Sequence, residues 1–221
     1  MDAAAMAGNE QMENLPLPSK KDIKARAMKR RICVAAVSCI DELGYAATSI
    51  NRIQQRAGVS RGALTHHFPT KQALVAETAM RLLHAASRPL RSLNAERQKA
   101  GHMAQTDPVS DLLMKSWTDI ANTPEGRAFV EILVACRTDR DLYDVLADDL
   151  HNWDAQNAAS IREHYQGSEA DEDDAALLWS INRTFIRGLL IHERFVSDPD
   201  YLLRMMQRFA GIMQGHLLLR D

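Results

Sequence analysis

The sequence predicts an all-α chain of about nine helices, with a basic head of three helices joined to a larger, acidic helical body. Three observations carry that reading. Apolar residues recur at i, i+3, i+4 spacing along most of the chain, and no stretch shows the strict alternation rich in Val, Ile or Thr that marks a strand. Gly and Pro fall between the periodic segments rather than inside them. The net charge of -2 hides a division. Residues 19–90 carry 13 Lys and Arg against 4 Asp and Glu, whereas residues 91–221 carry 14 against 22. A basic segment joined to an acidic one implies a polyanionic partner for the first part only.

In chain order, residues 1–18 are polar, contain Pro16 and Pro18 and show no stripe, as expected of a flexible tail. Residues 19–69 form the head. Its first helix spans about Lys21 to Leu43, buries Ile32, Ala36, Cys39, Ile40 and Leu43, and ends at Gly44. A short helix starts at Thr48 or Ser49 and stops at Gly58, with Ile50 and Ile53 inward. A third begins at Ser60 as N-cap and ends near Phe68, because Pro69 disfavours helical geometry in the residue before it. Thr70 caps a connecting helix over 70–90. In the body, 91–221, a capping residue followed by proline opens three helices: Asp107-Pro108 for 107–121, Thr123-Pro124 for 123–137 and Asp198-Pro199 for 198–218. The stripe Leu142, Leu146, Leu150, Trp153, Asn157, Ile161 and Tyr165 marks a helix over 139–166. After GSEADEDD, whose acids suit a helix N-terminus, another spans 171–197.

With 221 residues the chain can bury a sizeable core. No apolar run reaches the roughly 18 residues of a membrane span, and the N-terminus lacks the order of a signal peptide, so a cytoplasmic location without membrane attachment is expected. Cys33, Cys39 and Cys136 have neither disulfide nor metal spacing.

The segment TSINRIQQRAGVSRGALTHHFPTK, Thr48 to Lys71, concentrates the chemistry. Gly58 permits a tight turn between two short helices, and Val59 plugs the gap between them. On the second helix only Leu64 and Phe68 face inward. Gly62 and Ala63 are small enough to let the backbone approach the floor of a major groove, and Arg61 reaches a guanine or a phosphate. Thr48, Thr65, His67 and Lys71 are donors placed for phosphates, and the His66-His67 pair suits groove contacts. A polar helical hairpin is the plain alternative. The turn glycine, the capped second helix and the local charge argue instead for double-stranded DNA.

GVSRGALTHHFPTKQALV, preceded by LGYAATSINRIQQRA, resembles the DNA-binding head of the TetR family of one-component bacterial regulators. The resemblance covers roughly Ala25 to Leu83 and includes Gly44, Tyr45, Thr48, Ile53, Ala57, Gly58, Val59, Ser60, Gly62, Leu64, His67, Phe68, Lys71, Ala73 and Leu74 in order without a gap. It implies a helix-turn-helix DNA-binding domain followed by a helical ligand-binding and dimerisation domain that pairs through its last two helices. It also implies DNA contacts at Thr48, Ser60, Arg61, Ala63, Thr65, His67 and Lys71. Two positions depart from the family pattern. Thr65 stands where a tyrosine is common and has a shorter reach. Asn51-Arg52 replaces a basic-acidic pair, which makes Arg52 a further candidate for a phosphate.

One head offers few base contacts, and pairing two against a palindrome roughly doubles the recognition free energy. Candidate homodimer residues lie on the last two helices, apolar on more than one face: Trp179, Ile186, Leu190, Met205, Phe209, Ile212 and Met213. Burial within one subunit is the competing reading. Candidate effector-pocket residues are Met114, Trp117, Phe129, Leu133, Cys136, Trp153, Asn157, Asn182 and Phe185, with Arg137 a further polar candidate, and they favour a small lipophilic molecule. No cofactor or metal is expected, and no HExxH, GxSxG, P-loop or dinucleotide fingerprint points to an enzyme. An acidic body argues against indiscriminate DNA coating. Repressor is the family-level expectation; an activator, or a ligand-independent DNA-binding protein of the same fold, stays open.

Overall fold

The structure is a computed structural model that describes residues 19–87, 108–198 and 200–220. The expected tail over 1–18, the Asp107 cap, residues 88–90 of the connecting helix and Pro199 lie outside the described residues. Among those described, the chain forms nine α-helices: α1 (Lys20–Ala47), α2 (Ile50–Ala57), α3 (Arg61–His67), α4 (Lys71–Ala86), α5 (Pro108–Lys115), α6 (Pro124–Ala135), α7 (Arg140–His164), α8 (Asp174–His192) and α9 (Tyr201–Met213).

The helix starts follow from their caps. Ser19, Ser49, Ser60, Thr70, Thr123 and Asp139 each accept a hydrogen bond from a backbone N–H in the first turn of the helix that follows. Gly58 ends α2 in the left-handed region at φ 59°, and a Cβ there would press on the Arg31 guanidinium, which donates to the Gly58 carbonyl. Gly44 does not stop α1 as the sequence suggested. It takes φ 75° and ψ 165°, a conformation open to glycine alone, and the chain resumes helix through Ala47 after this kink.

Three further differences concern the body. α5 loosens into a π-helical turn over Ser116–Ala121. The last helix starts at Tyr201 and ends at Met213, shorter than expected. There is also a two-stranded antiparallel sheet, β1 (Tyr165–Gly167) with β2 (Leu217–Leu219), pairing Tyr165 with Leu219 and Gly167 with Leu217. Three-residue strands are too short to display an alternation, so the pattern along the chain could not show them. Their buried residues, Tyr165 and Leu217, join the core of the body.

Three clusters of buried side chains organise the molecule. The first unites α1, α2, α3 and the start of α4 around Ile32, Ala36, Ile53, Val59, Leu64, Phe68 and Leu74. The second joins head to body, with Val37, Ile40 and Tyr45 packed on Val75 and Ala79 of α4, Ala128 and Ile132 of α6, and Leu142 and Leu146 of α7. The third lies wholly in the body, among α5, α8, α9 and β2, and includes Leu113, Trp117, Trp179, Leu189, Met206 and Leu217. Polar ties reinforce the middle cluster. Arg127 grips Asp41 with two hydrogen bonds of 2.7 and 3.1 Å, and the Tyr45 hydroxyl donates to Asp139, the N-cap of α7.

Candidate functional site

The first site is the outward face of α2 and α3. Leu64 and Phe68 anchor α3 on the head core, which leaves Arg61, Gly62, Thr65 and His66 exposed. Ser60 caps the helix by accepting from the Ala63 N–H at 3.1 Å. A Cβ on Gly62 would meet nothing within 4 Å, so no contact inside the subunit requires glycine there. Arg61 is steadied by the Asn51 side-chain oxygen at 3.3 Å, and Arg52 stands exposed on the neighbouring helix. Burial, then the charges of His66 and Lys29, hold His67 below the usual imidazole range.

Two expected phosphate contacts are placed differently. Thr48 is 2 % exposed, and its hydroxyl donates to the Gly44 carbonyl at 2.8 Å; it holds the kink at the end of α1. Lys71 is half-buried. Its ammonium lies 3.8 Å from the centre of the Tyr45 ring and donates to the Tyr45 carbonyl at 2.7 Å, and burial lowers its pKa. The Thr65 hydroxyl donates back to the Arg61 carbonyl at 3.0 Å, so this short side chain is spent on its own helix.

The second site is a cavity of about 460 Å³ in the body. Its walls come from the C-terminal end of α4 (Leu82, Leu83, Ala86), the π-turn (Ile120, Ala121), α6 (Phe129, Val130), α7 (Trp153, Asn157) and α8 (Trp179, Asn182, Ile186, Leu190). Phe129, Trp153, Asn157 and Asn182 therefore line it together, as the sequence suggested. Met114, Trp117, Leu133, Cys136 and Phe185 do not. Trp117 is buried in the body core, Cys136 flanks the cluster between head and body, and Phe185 stacks on Phe209 with ring centres 4.1 Å apart. Arg137 is exposed and away from the cavity.

Residues missed from the sequence include Arg183 and Arg187, one and two helical turns from Trp179 on the same side of α8. Their period was visible, but an arginine on a helix reads as a solvated face until its neighbours are known. Gly126 was missed as well. A Cβ there would run into the carbonyls of Ile120 and Ala121, so glycine lets α6 pack against the π-turn. Trp179, Ile186 and Leu190, expected at a subunit interface, are cavity walls instead, and Met213 is buried in the body core. Met205 and Phe209 are half-buried against that core, and Ile212 is exposed.

The outer face of α8 carries a different stripe. Leu177, Ile181 and Ile191 are exposed at 59, 45 and 55 %, with Thr184 and Gly188 between them at alternating steps of four and three, and Phe195, in the 3-10 turn Glu193–Phe195 just past the helix, is 78 % exposed. Tyr201 and Ile212 of α9 are exposed too. Among the described residues no helix is long and apolar enough to cross a membrane.

A family model for bacterial regulatory proteins of the tetR family matches residues 32–78, from the middle of α1 into α4. An uncharacterised HTH-type transcriptional regulator of Mycobacterium tuberculosis is 31% identical over 170 residues, covering 77% of this chain and 84% of the relative. The chain belongs to the TetR family of transcriptional regulators. As a TetR regulator it binds DNA, and its helix-turn-helix is α2 and α3. Likeness to family members extends beyond that head. The regulator CymR of Pseudomonas putida is 28% identical over 200 residues, which is 85% of this chain and 91% of CymR. A transcriptional regulator of Saccharomonospora viridis solved in complex with choline shares the fold at a TM-score of 0.57 and 18% identity, covering 87% of this chain and 98% of its own.

Proposed function

We propose that this TetR regulator is a homodimeric repressor that leaves a palindromic operator when a small, largely apolar molecule enters the body cavity. The observation that carries the reading is the course of α4. Its first residue, Lys71, packs against Tyr45 at the base of the head, and its last turns wall the cavity. At 1.5 Å per residue, this helix of 16 residues links the two sites over about 24 Å. Trp153 fastens its far end, the indole N–H donating to Ser87 at 3.1 Å.

Arg52, Arg61, Gly62, Ala63 and His66 are the groove-facing set. Ser60 shapes the helix start, and the buried Thr48 and half-buried Lys71 act through the geometry of the head. The exposed stripe that runs from Leu177 on α8 to Phe195 just past its end supports pairing with a second copy along α8 and α9, and two heads then meet successive half-sites. An effector acts by binding one body conformation better than another, so that α4 resets the spacing of the heads. The choline complex of the Saccharomonospora viridis protein is support of a general kind, since it is a small molecule held on the same fold.

The test is selection of bound DNA from a random pool, followed by titration of the recovered site at several salt concentrations. A palindrome with half-sites about one turn or slightly more apart is expected. Recovery of sequences with no preference overturns the operator reading, and undiminished operator affinity at saturating effector overturns the switch.

A further inference from the structure

The cavity contains polar groups whose partners are absent from its own walls. Asn182 is 1 % exposed and its side-chain oxygen has no hydrogen-bond partner; the same holds for the side-chain nitrogen of Asn157 and for Nε of Arg183. A buried polar group without a partner forfeits its hydration with nothing in return, so such groups mark places meant for a ligand or ordered water. The two arginines differ. Arg183 has a counter-ion, Asp154 at 2.7 Å, and lies over the Trp153 ring. Arg187 lies 6.0 Å from the centre of the Phe129 ring and, among the described residues, has no carboxylate within ion-pair distance. Burial first, and then the neighbouring Arg183, work against its charge, and Asp154, the partner of Arg183, favours it more weakly. Asp119 and Glu125 also border the cavity, but both are exposed at its mouth.

We propose that the effector is an organic monoanion, a carboxylate on an aromatic or branched aliphatic body, with Arg187 as its charge partner. This rests on the reading of the cavity as an effector site and names the class of effector. A guanidinium without an ion pair of its own calls for one negative charge. Arg183 Nε and the Asn157 nitrogen supply further donors beside it, and the Asn182 oxygen accepts from a hydroxyl or N–H elsewhere on the ligand. Inorganic anions satisfy the charge only. The apolar wall includes Leu83, Phe129, Trp153, Trp179, Ile186 and Leu190, which an apolar body fills and a hydrated ion leaves bare. A cationic ligand would face Arg187 directly and find carboxylates only at the rim.

The full-length chain, without DNA, is titrated with phenylacetate, 3-phenylpropionate and 4-phenylbutyrate. Each is compared with its primary amide and with the ammonium compound of the same skeleton. Binding is read by calorimetry and by intrinsic tryptophan fluorescence, to which the cavity residues Trp153 and Trp179 contribute with Trp117. At least one carboxylate is expected to bind tenfold or more tightly than its amide, with the ammonium compound weaker still. Arg187→Met is expected to abolish the preference for carboxylate over amide. The proposal is overturned if amide or ammonium binds as tightly, if no carboxylate binds up to millimolar concentration, or if the preference survives in Arg187→Met. Operator release is measured separately with the best carboxylate. Binding without release keeps the anion site and removes the switch. Release by an uncharged ligand alone keeps the switch and removes the anion site.

Discussion

Gly62 sits on the outer side of α3 with open space where a Cβ would stand. Helical glycine is less stable than alanine by about 0.5–1 kcal/mol, so Gly62→Ala is expected to stabilise the free protein by roughly that amount. If the backbone of α3 approaches the groove floor as proposed, the same change weakens operator affinity, and a melting curve with a DNA titration separates the two effects. Lys71 behaves in the opposite way. Its ammonium satisfies the Tyr45 carbonyl and packs on the Tyr45 ring, so Lys71→Met is expected to cost about 1–3 kcal/mol of stability in the absence of DNA. Arg61→Ala, at an exposed side chain, leaves stability within about 0.5 kcal/mol. These contrasts show where single-residue reasoning on the sequence stops. Residue type and spacing put Thr48 and Lys71 among the donors near DNA. Only the packed head shows that the Thr48 hydroxyl is taken up by Gly44 and the Lys71 ammonium by Tyr45.

At the scale of elements, what was legible was what local chemistry decides. Ser60, Thr70 and Thr123 cap the helices that follow them, and their side chains announce this in the sequence. The π-turn at Ser116–Ala121 and the β1–β2 pair depend on neighbours distant along the chain and left no periodic trace. α8 is the clearest case. It is apolar on several faces, so its pattern showed that it needs several partners but could not assign them; the walls around Trp179 decided that this face is cavity. The cap of α7 gives a pH prediction. Hydrogen bonds from Tyr45, from the Leu142 backbone and from Gln72 hold the Asp139 carboxyl below the usual carboxylate range. A depressed carboxylate adds stability above its unfolded pKa, and that stability fades as pH falls through the folded value. Tyr45→Phe removes the leading cause of the shift. Acid unfolding of this variant, followed by helical circular dichroism, is therefore expected to begin at higher pH than in the parent protein. Coincident acid limbs would count against the tie between head and α7.

At the scale of the whole molecule, the outer face of α8 has to be explained. Leu177, Ile181, Ile191 and Phe195 recur at steps of four, ten and four with Thr184 and Gly188 between, a seam of the kind that packs against another helix. Gly188 has open space above it, which allows close approach of a partner backbone. An exposed apolar patch of this length on a chain with net charge -2 invites association. In the proposed dimer, the same seam together with Tyr201 and Ile212 of α9 would meet its counterpart in a second copy about a two-fold axis. Ile181→Glu places a carboxylate in the middle of that seam but at a position exposed in the single subunit. It is therefore expected to leave the subunit folded while converting a dimer into a monomer in sedimentation. Because the two heads then bind independently, operator affinity is expected to fall by at least 100-fold, whereas affinity for an isolated half-site stays within about threefold of the parent. If Ile181→Glu remains dimeric with full operator affinity, the pairing surface lies elsewhere, and the spacing of the heads is not set by α8.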